Sequence, residues 1–143
     1  MTVYLLDVNV LIPLHDRLHP HAEAARQWFD GIEREGWATC PMTESGFIRI
    51  SSNPRFPGPN GDPTYFASIL ADSCSSNAHH FWPDDLSAVR LFSVHTGVTW
   101  NDITDLYLLA LAVERGGKFA TFDQGIPAHL LPGGIDALEV ISS

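Results

Sequence analysis

Four carboxylates separated widely along the chain, Asp7, Glu44, Asp105 and Asp123, are the side chains in this sequence best suited to do chemistry together. Asp7 closes the apolar run Val3-Tyr4-Leu5-Leu6, and Asp123 closes Lys118 to Phe122. Short unbroken runs of strand-forming residues are the signature of strands covered on both faces of a parallel sheet. In such a sheet all carboxyl ends lie along one edge, so Asp7 and Asp123 share it. A helix in a βαβ unit begins near the edge where its preceding strand ended. Glu44, early after Trp37 to Cys40, and Asp105, early in the apolar stretch Asn101 to Arg115, therefore belong to the same edge. Ligands of open α/β folds bind in this crevice. Ionised carboxylates packed there repel one another unless a counter-charge is present. An all-oxygen donor set with no obligatory Cys or His selects a hard ion, Mg²⁺ or Mn²⁺. One or two such ions activate water and stabilise a leaving oxygen, which is the chemistry of phosphodiester hydrolysis.

Each acid also has a plainer use. Asp7 and Asp123 could cap following turns, and Glu44 and Asp105 could favour helix dipoles. Four such coincidences on one edge make the less economical account. Asp102 lies three residues before Asp105 and so on the same helix face. Thr99 followed by Asp102 also matches a helix cap with an acidic partner, which makes Asp102 an auxiliary acid.

The remaining elements are those needed to place these residues. Pro20 to Glu35 reads as an amphipathic helix, with Gly36 as its stop. Pro41 opens a helix through Ile50, and Ser51 to Pro63 is a long loop rich in Pro, Gly and Asn. Thr64 to Ser73 is a helix, His79 to Trp82 a strand, Asp84 to Phe92 a helix, and Ala137 to Ile141 a last edge strand. Asn101 to Arg115 is apolar nearly all round and must be buried. Strands alternating with helices predict one α/β domain over residues 1–143, with a mostly parallel sheet between two helical layers.

The chain has 143 residues, 45% apolar and 17% charged, the composition of an ordinary globule. Cys40 and Cys74 are too few for a disulfide framework, which suits a reducing, cytoplasmic compartment. Met1 to Leu14 lacks a basic leader and is broken by Asp7 and Asn9, so neither a signal peptide nor a membrane span is expected. Seventeen acids against eight Lys and Arg give a net charge of −9. That sign excludes a broad basic nucleic-acid face, but it is compatible with acids that converge on cations bridging to phosphates.

Four segments carry a family resemblance. They are Leu5-Leu6-Asp7-Val8-Asn9-Val10-Leu11, then Thr43-Glu44, then Thr104-Asp105-Leu106-Tyr107-Leu108-Leu109-Ala110-Leu111-Ala112, then Ala120-Thr121-Phe122-Asp123. In order and spacing they resemble a PIN-domain ribonuclease of the VapC toxin type, over nearly the whole chain. The resemblance implies a Mg²⁺- or Mn²⁺-dependent endoribonuclease acting on RNA of the tRNA or rRNA class. It also implies homodimerisation and a VapB-like antitoxin that blocks the site. It makes Asp7, Glu44, Asp105 and Asp123 the acidic set, with Asp7, Asp105 and Asp123 on the metal and Asn9 and Thr121 orienting the acids. Two competing functions are a PIN-like scaffold that has lost catalysis and a phosphatase using Asp7 as nucleophile. The intact acidic set opposes the first. The second lacks a further aspartate two residues after Asp7.

Arg49 and Arg55 are the expected contacts to RNA phosphates, and Trp100 is placed to stack on an unpaired base. His15, His19 and His21 fall in a turn entering an exposed helix, and His79 and His80 point to opposite faces of a strand. None of these histidines is assigned a role.

Overall fold

The computed structural model describes residues 1–32 and 34–143. Five strands form one sheet in the order β3-β2-β1-β4-β5, with every pairing parallel. They are β1 (Val3–Leu6), β2 (Gly36–Thr39), β3 (His79–Phe81), β4 (Lys118–Thr121) and β5 (Leu138–Val140). The helices are α1 (Val8–Leu14), α2 (Ala22–Gly31), α3 (Pro41–Ser51), α4 (Pro63–Cys74), α5 (Ala88–Phe92), α6 (Ile103–Glu114) and α7 (Gly134–Ala137).

Side-chain alternation along the strands divides the core into two layers. Leu5, Ala38 and Phe119 face α6, and pack with Leu106, Leu109 and Leu111. Leu6, Trp37 and Ala120 face the other way, toward Val10 and Leu11 of α1, Phe47 of α3 and Phe66 of α4. The expected three-layer α/β architecture is present.

The topology fixes where a ligand fits. From β1 the chain steps outward to β2 and β3 with its helices on one face, then returns to lay β4 on the other side of β1. The order reverses between β1 and β4, and the crevice above such a switch point is the usual ligand site of open α/β sheets.

Several boundaries differ from the sequence reading for local reasons. The helix expected over 20–35 is α2 and stops at Gly31, with Ile32 as its cap; Glu33 lies outside the described residues. The helix expected from Asp84 starts at Ala88, because the Ser87 side chain caps it by accepting from the Arg90 N–H at 3.2 Å. The region before α6 is a turn of 3₁₀ helix, Trp100–Asp102. Two elements were not anticipated. α7 is a single short turn. α1 follows β1 immediately, its residues Val10 to Pro13 buried, so no amphipathic period marks it.

Candidate functional site

Asp7 follows the last residue of β1 and is the N-cap of α1. Its Oδ1 accepts from the Val8 N–H at 2.7 Å, and its Oδ2 accepts from the buried Thr121 hydroxyl at 2.8 Å. Its own N–H donates to the Ala120 carbonyl at 2.9 Å, which ties it to β4. Thr121 is the hub of a small network. Its Oγ1 accepts from Asn9 Nδ2 at 3.1 Å and from the Asp123 N–H at 3.0 Å, while Asn9 Oδ1 accepts from the Phe122 N–H at 3.2 Å. One hydroxyl thus sets the positions of two carboxylates and is itself held by an amide. Asp123 turns the chain after β4 by accepting from the Gly125 N–H at 2.8 Å.

Asp105 arrives from the opposite helical layer, in the first turn of α6. Burial, then the charges of Asp7, Asp123 and Asp102, push its carboxyl up to about 6. The nearby Asp123 side chain adds to that rise. Burial also raises Asp7, opposed by the hydrogen bonds from Thr121 and Val8, with the Asp123 charge adding to the rise. These shifts are what converging acids produce when no cation is among them. Asp102 is held aside: its Oδ2 accepts from the Thr99 hydroxyl at 2.8 Å and the Thr99 N–H at 3.3 Å. That is the cap the Thr99 and Asp102 spacing predicts.

Asp7, Asp105 and Asp123 open into a crevice of about 510 Å³, also lined by Asn9, His19, His21, Ile50, Phe56 and Phe122. Among its described lining residues there is no Lys or Arg. An all-oxygen set of three crowded carboxylates fits a hard divalent cation.

Glu44, the fourth acid expected at this edge, does not line the crevice that holds the other three. Its Oε2 accepts from the Thr39 hydroxyl at 2.7 Å, on the side of β2 that adjoins β3. Helical phase is the reason. The face of α3 turned to α1 carries Thr43, Gly46, Phe47 and Ile50, and a Cβ at Gly46 would stand 2.7 Å from Val8 Cγ2. Glu44, two residues before Gly46, points about 160° away from it around the helix. With Ile48, Arg49 and Ser52 it lines a separate groove. Arg49 is therefore also turned from the crevice. Arg55 is exposed on the 52–62 loop, beside the crevice-lining Phe56, and Trp100 is 88% exposed.

The sequence reading missed the histidines of the crevice wall. His19 Nδ1 accepts from the His21 N–H at 3.0 Å, and the His21 ring stacks on Phe122 with centroids 4.8 Å apart. His21 Nδ1 is buried without a hydrogen-bond partner. Their clustering was visible in the sequence, but nothing there showed that the turn after α1 folds back over the edge. His15 serves the core, bonded to the Leu11 carbonyl and to Ser73 Oγ, each at 2.7 Å.

A five-stranded parallel sheet with acids gathered over its switch point defines a class. Residues 4–129 match the PIN domain family, and the chain belongs to that family. It is 40% identical over 131 residues to ribonuclease VapC44 of Mycobacterium tuberculosis, covering 90% of this chain and 92% of that protein. It is 38% identical over 136 residues to ribonuclease VapC39 of the same organism, covering 94% and 98%. Two solved structures share the fold. One is Mycobacterium tuberculosis VapC20, described as a sarcin-ricin loop cleaving toxin, with a TM-score of 0.63 at 10% identity over 88% of this chain and 94% of that one. The other is VapBC2 from Rickettsia felis bound to a DNA fragment from their promoter, with a TM-score of 0.63 at 12% identity over 99% of this chain and 100% of that one. No described helix is long and apolar enough to cross a membrane.

Proposed function

We propose that this chain is a Mg²⁺- or Mn²⁺-dependent endoribonuclease, working in the cytoplasm as the toxin of a VapBC-type pair and held in check by a VapB-like antitoxin. The observation that carries this reading is the convergence of Asp7, Asp105 and Asp123, from the end of β1, the first turn of α6 and the end of β4, into one crevice with no Lys or Arg among its described lining residues. Relatives at about 40% identity bear the name ribonuclease VapC, and a structural neighbour is a VapBC pair, which supports both the activity and the partner.

Asp7, Asp105 and Asp123 are the residues that would hold the ion. When bound, a divalent cation neutralises phosphate charge and makes water a competent nucleophile near neutral pH. The chain supplies the rest. Thr121 and the Val8 N–H keep the Asp7 carboxylate in one orientation, and Asn9 keeps Thr121 in place. Asp105, whose carboxyl is raised by burial and by its acidic neighbours, would release its proton to solvent on holding the ion. His19 accepts through Nδ1, which leaves Nε2–H in the neutral ring as a donor for an RNA phosphate oxygen. Arg55, rather than Arg49, is the cation positioned to meet the RNA backbone.

Purified protein incubated with a mixture of structured RNAs tests this directly. Discrete cuts are expected with Mg²⁺ or Mn²⁺, none with chelator, and none from Asp7→Asn with either ion. Equal cutting by wild type and Asp7→Asn would end the assignment.

A further inference from the structure

The acid crevice continues on its histidine side into a second cavity. His19, His21 and Phe56 line both, and the second, of about 870 Å³, runs on between the turn after α1 and the 52–62 loop. Leu18, Pro20, Pro57 and Pro59 make the rest of its walls largely apolar. Leu18 is 93% exposed, an apolar side chain at the mouth that the fold does not cover. One carboxylate stands in this lining, that of Asp16, which is only 9% exposed. Its Oδ1 accepts from the Leu18 N–H at 3.1 Å, while Oδ2 has no donor among the described residues. A Cβ built on Gly58 would stand 3.5 Å from that Oδ2 and 3.7 Å from Phe56 Cδ2. The space between carboxylate and ring is therefore bordered by a residue with no side chain to fill it. A carboxylate oxygen buried without a donor is costly until a ligand supplies one.

We propose that this cavity receives an unstacked guanine of the RNA and that Asp16 reads its Watson–Crick edge, as a specificity-determining residue beside the acid crevice. The inference rests on the endoribonuclease reading and names the base it selects. Aromatic and apolar walls suit the flat face of an unpaired base. Neither cavity has a Lys or Arg among its described lining residues, so contacts to the base, not attraction of phosphate, must supply selectivity there. A carboxylate can only accept. Guanine presents two adjacent donors, N1–H and the 2-amino group, to its two oxygens. Adenine and cytosine set a ring-nitrogen acceptor beside their amino group, and uracil flanks its single N–H with two carbonyls. Each of those would turn a lone pair toward Asp16. The shared wall of His19, His21 and Phe56 puts the selected base next to a phosphate held at Asp7, Asp105 and Asp123.

Guanosine and inosine, which differ only in the 2-amino group, test this without cleavage when each is titrated into the full chain in chelator and followed by nuclear magnetic resonance. Wild type is expected to bind guanosine about tenfold more tightly than inosine or uridine, and guanosine should shift the ring resonances of His19 and Phe56. Asp16→Asn keeps an oxygen for the Leu18 N–H but replaces the other acceptor with a donor, and should lower guanosine to the affinity of inosine. Equal binding of guanosine and inosine by wild type, or an undiminished preference in Asp16→Asn, would overturn the proposal. Cleavage separates the two readings. Metal-dependent cuts with no preference for guanine would leave the nuclease standing and remove the guanine subsite, whereas guanosine selectivity in a chain that cuts no RNA would support the subsite and remove the nuclease.

Discussion

The carboxylates over β1 and β4 and the carboxylate over β2 sit on the same edge of the sheet, and the protein treats them in opposite ways. In the crevice, Asp7, Asp105 and Asp123 come from three elements and lie close together, and the donors to them among the described residues are the Thr121 hydroxyl and backbone N–H groups. Like charges are forced together there until one carboxyl holds its proton to about pH 6. Over β2, Glu44 of α3 is single, accepts a hydrogen bond from the Thr39 hydroxyl and has an imidazole and a thiol for neighbours. Reaching the carboxyl edge is therefore not what makes an acid part of the crevice. The face of the element that carries it decides, and α3 turns Gly46 and Ile50, not Glu44, toward Asp7.

That contrast predicts the largest effect. Asp105→Asn or Asp123→Asn should lower RNA cleavage by about 100-fold or more, since each removes a charge that holds the cation. Glu44→Gln, which can still accept from Thr39, should stay within about twofold of wild type in the same assay. Equal losses from Glu44→Gln and Asp105→Asn would place Glu44 in the reacting site and erase the distinction.

A smaller effect is expected at the hub of the network. Thr121→Val leaves the buried Asp7 oxygen without its donor and frees the Asp123 N–H, at a cost of about 1–3 kcal/mol to the fold. Cleavage should fall roughly 10–100-fold, mainly as a higher Mg²⁺ requirement, because Asp7 loses its orientation. Thr39→Val disturbs only the Glu44 side and should leave the Mg²⁺ requirement for cleavage where it was.

The smallest effect concerns stability, and its sign is opposite to the effect on activity. The Asp105 carboxyl is raised from 3.8 to about 6 in the fold. The folded state thus holds a proton that the unfolded chain has lost, so metal-free stability is fully present below pH 4 and declines as pH rises to about 6. A shift of that size corresponds to about 3 kcal/mol, which solvent screening at a half-exposed group reduces to about 1 kcal/mol. Asp105→Asn should therefore be more stable than wild type by about 1 kcal/mol at pH 7 in chelator, and equal to it near pH 4, by urea unfolding. A variant less stable than wild type at pH 7 would mean that the carboxylates are not repelling one another.

Much of this was legible in the sequence where burial makes a simple pattern. β1 and β4 are short apolar runs ending in Asp, and α6 is apolar almost all round, so Asp7, Asp105 and Asp123 could be placed on one edge before any coordinates. The position of Glu44 could not be read, because the phase of α3 depends on how closely Gly46 lets it approach Val8. α1 was invisible because a helix covered on nearly every side has no polar period, and Pro13 lies within it. The crevice histidines were hidden for another reason: a turn's sequence does not say over which part of the molecule it folds.

Calorimetric titration of Mg²⁺ into wild type, Asp105→Asn and Glu44→Gln tests the central claim most directly, since binding at the crevice is read without RNA. Wild type and Glu44→Gln should bind with the same stoichiometry and closely similar affinity, while Asp105→Asn should show little or no binding. Binding retained in Asp105→Asn and lost in Glu44→Gln would contradict the account.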